Sequence, residues 1–160
     1  EPIPITGQHS VGFRPIGGNG VGFLGGVPRN KMQHEIDIEV RYYETDGQGI
    51  VHHANYFQYF ELARVNMLKE KGHDYAELER NGIFLVVHKI GCRYLKSAQF
   101  GDTLRIVTTV IRATVARIDH AYQVLRVDDG QVLAEGHSTI ACIDKSGAIR
   151  RMPDFLLEAH

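Results

Sequence analysis

The run from Val40 to Gly72, VRYYETDGQGIVHHANYFQYFELARVNMLKEKG, decides how this chain folds. It strings together the end of a strand, an acidic turn broken by Gly47 and Gly49, the pair His52 and His53, and a long aromatic-rich segment. That last segment predicts a helix starting near Ala54 or Asn55 and ending at Gly72, with Lys69 and Lys71 in its last turn and the glycine just beyond the C-cap. Tyr56, Phe60, Ala63 and Met67 form one apolar stripe. Phe57, Leu62, Val65 and Leu68 widen it, which predicts a helix wrapped by other structure.

Upstream, Ile36, Ile38, Val40 and Tyr42 alternate with Asp37, Glu39 and Arg41, the pattern of a half-buried strand with Tyr42 on the apolar face. Downstream, Asp74 to Arg80 predicts a short helical turn stopped by Asn81 and Gly82. The rest is β-rich. Strands are expected over Ile83 to Ala98 with a bend at Gly91, Thr103 to Ala113, Ile118 to Val127 and Gln131 to Ile143, with a short helix within Pro153 to His160. Asp128, Asp129 and Gly130 give a tight hairpin turn. Strand, long helix, then strands in hairpin succession describe an α+β fold in which one antiparallel sheet curls around a single helix. The two-sided hydrophobicity of Thr103 to Ile143 leaves a second sheet face and an apolar edge, which predicts pairing with a second copy.

Residues 1–31 differ in kind. Glycines 17, 18, 20, 22, 25 and 26 and prolines 2, 4, 15 and 28 predict a flexible arm, ahead of a domain over residues 32–160. Gly20 to Gly25 matches GxGxxG, but Pro28 argues against the helix a dinucleotide site needs. Met32 is a possible internal start. At 160 residues the chain fits one domain with a real core, and its net charge of -1 supplies no whole-molecule attraction for nucleic acid or anionic membrane. No apolar run approaches the roughly 20 residues of a membrane span, and no secretory leader is expected. Cys92 and Cys142 form no CxxC pair, so they read as core thiols of a reduced, cytoplasmic protein.

Among groups that carry chemistry, Asp46 stands first. It precedes a helix N-terminus, among glycines that let a substrate approach the backbone, and the orphan amides of such a terminus can bind an oxyanion. Either it serves as nucleophile or general base, or it closes an Asx turn or caps the helix; spacing does not choose. His52 and His53 invite a metal, but no third and fourth ligand follow at recognisable spacing, and neighbours on an extended segment point to opposite sides. Asn55 is expected to cap the helix or orient the loop, and Glu61 to pair with Arg64 three residues on. His88, His120 and His137 fall within strands, and no Gly-x-Ser-x-Gly elbow is present.

Tyr43, Glu44, Thr45, Asp46, Gly49, Val51, Asn55, Tyr56, Phe60, Glu61, Ala63 and Arg64 together resemble the hot-dog-fold acyl-CoA thioesterases of the 4-hydroxybenzoyl-CoA thioesterase and YbgC-like group. Tyr94, Leu95, Phe100 to Asp102, Ala134 to Gly136 and the strand through Cys142 and Asp144 extend the similarity over residues 34 to 145. The resemblance implies a curved antiparallel sheet around one long helix, assembled as a dimer or a dimer of dimers with the active site at the interface. It implies hydrolysis of an acyl-CoA or related thioester, with Asp46 in the position of the catalytic aspartate and His53 in that of the residue whose backbone N–H polarises the carbonyl. Gly49, Val51, Asn55 and Tyr56 fall where substrate is met. Arg112 and Arg117, flanking a strand turn, are candidates for the CoA phosphates, or are solvated surface charges. Coenzyme A enters as part of the substrate, and neither metal nor other cofactor is required. A dehydratase or hydratase on the same fold and a non-catalytic acyl-CoA-binding module are the rival readings.

Overall fold

The computed structural model describes residues 33–158; the glycine-rich arm, its GxGxxG match and Met32 lie outside them. Five strands make one antiparallel sheet: β1 (Gln33–Glu39), β2 (Phe84–Tyr94), β3 (Thr103–Ala113), β4 (Arg117–Arg126) and β5 (Val132–Ile143), in spatial order β1-β3-β4-β5-β2. The helices are α1 (Asn55–Glu70), α2 (Tyr75–Arg80) and α3 (Asp154–Leu157). This is the hot-dog arrangement: α1 lies against the inner sheet face, where Tyr56, Phe60 and Ala63 meet Leu104, Ile106, Tyr122, Val124 and Leu133.

Helix α1 stops by chemistry its last residues encode. Gly72 takes φ +82°, its amide donates to the Lys69 carbonyl, and the His73 amide reaches back to Leu68, the paired bonds of a Schellman motif. Further along, Asp74 caps α2 by accepting the Ala76 amide at 2.6 Å. Midway along α1, the Phe60 ring stacks on Tyr122 at 4.4 Å and lies over Gly136, where any Cβ would collide with it. A glycine there lets helix and sheet approach closely.

Several expectations need correction. β1 ends at Glu39, and Tyr42 begins a 3-10 turn (Tyr42–Glu44) that leaves it 77% exposed; His34, Ile36, Ile38 and Val40 are the inward set. Helix α1 is wrapped on one side within the chain, since Leu62 is 42% exposed and Glu61 faces solvent. The succession of hairpins holds for β3-β4-β5, whereas β2 pairs with β5 at the far edge. The connection from Leu95 to Asp102 instead gives its backbone to other partners: Leu95 and Lys96 donate to the Leu133 carbonyl and Val51 donates to the Ala98 carbonyl. The irregularity of β2 lies between Val87 and Lys89 rather than at Gly91, where the His137 ring covers the backbone too closely for a side chain.

Candidate active site

Glu44 holds this region together. Its backbone carbonyl accepts from the His52 amide at 2.9 Å and from Asn55 Nδ2 at 2.6 Å, tying the segment before Asp46 to the start of α1. Its carboxylate is buried, 6% exposed, and accepts from the Arg41 amide at 2.8 Å and the Tyr59 hydroxyl at 3.1 Å. Burial first, then the Glu44 carboxylate, hold the Tyr59 phenol protonated well above its usual range. A buried carboxylate with two donors is a fixed post.

From that post the chain runs a closed loop. Thr45 and Val51 bridge antiparallel, the Asp46 amide donates to Ile50 and the Gly49 amide to Asp46, both at 2.9 Å. Gly49 closes the turn at φ +76°, a conformation costly for any residue with a Cβ. Asp46 Oδ1 accepts the Gln48 amide at 2.8 Å, so the Asx turn is present and the carboxylate is oriented by its own loop. Ile50 bridges Gln99, which fastens the loop beside the entry to β3.

The helix starts at Asn55, and of the two roles expected of that side chain the structure shows the second. Asn55 orients the loop through Glu44, and it is His52 Nδ1 that accepts the Ala54 amide at 3.2 Å. The His52 and His53 rings stack at 4.1 Å rather than pointing apart, because the chain is already turning into the helix. Among the described residues no three His, Cys, Asp or Glu side chains converge on one point. The His52 carbonyl accepts from the Asn55 amide at 2.9 Å, which fixes the 52–53 peptide plane. In a trans peptide the His53 N–H then points opposite to that carbonyl, away from the helix. None of the described residues accepts from it. Tyr94 adds a brace by donating to the His53 carbonyl at 2.8 Å. Burial pushes the Tyr94 phenol up to about 12, so it stays a donor at neutral pH.

The remaining candidates separate. Val51 and Tyr56 are buried beside this loop, Tyr56 against Tyr94 with ring centroids at 5.2 Å. Arg112 and Arg117 lie on the β3-β4 hairpin, about 30 Å along β3 from the Asp46 loop at ~3.4 Å per residue. Arg117 pairs with Asp119 at 3.3 Å. Glu61 and Arg64 form no ion pair, because Arg64 turns inward to Tyr122. Cys142 is buried and Cys92 half-buried, as core thiols. Glu44 and Tyr59 carry a role that no spacing rule announced: a glutamate between a tyrosine and a threonine reads as surface, and only the fold brings Tyr59 over it. Next to the loop, Tyr42 and Phe100 meet edge to face at 5.7 Å and wall a shallow groove of about 500 Å³ with Ile38, Val40 and Arg41.

A curved antiparallel sheet around one long helix defines a hot-dog protein, with an oriented carboxylate and an outward amide lying at the helix start. Comparison with known proteins agrees: residues 40–160 match the thioesterase-like superfamily, and the chain belongs to it. A protein of Aquifex aeolicus, provisionally named an esterase, is 34% identical over 119 residues, covering 74% of this chain and 91% of its own. The acyl-CoA thioester hydrolase YbgC of Escherichia coli O6:H1 is 26% identical over 107 residues, covering 67% of this chain and 79% of its own. The DHNA-CoA thioesterase structure from Staphylococcus aureus superposes with a TM-score of 0.70 at 28% identity, over 75% of this chain and 79% of that one. No helix among the described residues is long and apolar enough to cross a membrane.

Proposed function

We propose that the chain hydrolyses acyl thioesters of coenzyme A, with Asp46 as the reacting carboxylate and the His53 amide as the oxyanion donor. The observation that carries this is the shared anchor: one carbonyl, that of Glu44, is held by both His52 and Asn55, so the Asp46 turn and the helix start keep a fixed relation. One Asp46 oxygen is engaged by the Gln48 amide, and the other is the reacting atom. In the general-base route Asp46 takes a proton from water while the oxygen adds to the thioester carbonyl carbon. The oxyanion forms against the His53 N–H and the positive end of α1. Collapse breaks the carbon–sulfur bond, and the leaving thiolate takes the proton from Asp46. In the nucleophilic route an Asp46 oxygen forms the carbon–oxygen bond and the adduct collapses by breaking the carbon–sulfur bond to expel the thiolate. Water then hydrolyses the anhydride to the free acid, the released proton goes to the thiolate, and Asp46 returns as the carboxylate.

Gly49 presents bare backbone where the thioester approaches. Because Arg112 and Arg117 lie at the other end of the sheet, they meet CoA phosphates in this scheme only from a second copy, consistent with an active site between protomers of a homodimer or homotetramer. The functional test is thiol release from a panel of aromatic, short and long acyl-CoA esters, an acyl-carrier-protein thioester and an enoyl-CoA. Hydrolysis predicts free thiol and free acid. Tight binding with no thiol makes the protein a binding module, and loss of the double bond without thiol makes it a hydratase. Light scattering is expected to give at least twice the 18.0 kDa chain mass, and a mass near 18.0 kDa at micromolar concentration overturns the oligomer.

A further inference from the structure

On the side of α1 remote from Asp46, between the helix, β4 and the terminal α3, lies a second cavity of about 30 Å³. Arg64, Lys71 and His120 line it among apolar groups that include Leu68, Ile118 and Leu156, and no Asp or Glu is among its lining residues. Arg64 and His120 are each 5% exposed. Arg64 Nη1 donates to Tyr122 Oη at 3.0 Å, which shares a proton with Ser138 Oγ at 2.6 Å, but Arg64 Nε and His120 Nδ1 have no partner among the described residues. Of the nearby carboxylates, Asp119 accepts from Thr139 at 2.7 Å and pairs with Arg117, Glu61 lies on the exposed face of α1, and Glu158, also exposed, acts electrostatically on Lys71.

A guanidinium stays ionised when buried, so an uncompensated one is among the costliest groups a fold can enclose. Water would satisfy the orphan N–H groups but leave the charge unbalanced. We propose that this cavity binds a small monovalent anion of the halide class, held between Arg64 Nε and His120 Nδ1. A cavity of this size has room for an ion somewhat larger than a water. The donors suit an anion: Arg64 Nε presents an N–H with no partner among the described residues, and neutral His120 presents Nδ1–H in one of its tautomers. The site is distinct from the Asp46 loop. Arg64 follows Asn55 by nine residues, about 13 Å along the helix, with the Phe60–Tyr122 stack between.

Two measurements on the full chain test this. Crystals grown in bromide are expected to show an anomalous peak between Arg64 and His120; water or nothing there overturns the proposal. In solution, replacing gluconate by chloride at constant ionic strength is expected to raise Tm along a saturating curve by about 2–4 °C. Arg64→Met is expected to abolish the rise. Lys71→Gln, at a partly exposed position where folding is safe, is expected to move the half-saturating chloride concentration upward several-fold. A rise that never saturates, or one that is identical in parent and Lys71→Gln, contradicts the site.

Discussion

Asn55, the first residue of α1, donates from Nδ2 to the Glu44 carbonyl at 2.6 Å across eleven residues of chain. The helix start and the turn that carries Asp46 therefore move together, and a side chain usually expected to cap a helix here serves the loop. Removing that bond is predicted to disturb catalysis before stability. Asn55→Ala should lower kcat by about 10-fold, the equivalent of roughly 1.4 kcal/mol, with KM little changed, as read in steady-state thiol release.

The buried Glu44 carboxylate makes a different prediction. Glu44→Ala strands the buried Tyr59 hydroxyl and takes the carboxylate acceptor from the Arg41 amide. A loss of about 1–3 kcal/mol is expected in urea unfolding, alongside reduced turnover. Glu44→Gln, which still offers an acceptor oxygen, should recover most of the stability.

Gly49 tests the turn through the backbone alone. A Cβ at this position meets nothing within 4 Å, yet φ is +76°. Gly49→Ala is therefore expected to cost about 1–2 kcal/mol from conformation only, measured as a fall in Tm. A neutral result would show that the loop relaxes freely and does not hold Asp46 in place.

His120 gives the protein an acid limb. Burial first, then Arg64, hold its pKa at about 3, against 6.5 for a free imidazole. Below about 6.5 the unfolded chain takes up a proton that the folded chain refuses until about 3. Stability is fully present above that window and falls as pH drops through it, by up to ~1.4 kcal/mol per unit. In halide-free buffer, His120→Leu should flatten the pH dependence of unfolding between those limits, whatever its effect at pH 7.

Local chemistry made much of this architecture readable. β3 occupies Thr103 to Ala113 as its Ile, Val and Thr content predicts, Gly72 ends α1, and Asp128 to Gly130 turn the β4-β5 hairpin. What escaped was non-local. Nothing in residues 84–94 says that they pair with β5 rather than β3, because both partners offer equally β-prone strands. Tyr42 keeps the alternation of β1 in sequence but leaves it in space, where the chain tightens into a 3-10 turn. Arg64 looked like the partner of Glu61 because i,i+3 spacing permits it, yet Tyr122 and Ser138 draw it inward. At the candidate site the carboxylate and its glycines were legible, while the Glu44 post and the Tyr94 brace depend on contacts across the fold.

The central claim is that the charge of Asp46, and not merely its turn, performs the reaction. Asn at this position can still accept the Gln48 amide that Asp46 Oδ1 now accepts, so Asp46→Asn separates the two roles. The decisive measurement is kcat/KM for thiol release by Asp46→Asn on the best acyl-CoA ester, with Tm recorded alongside. A fall of about 10²–10⁴ at unchanged Tm is predicted, the scale of losing a positioned acid–base group; full activity in Asp46→Asn would contradict the account.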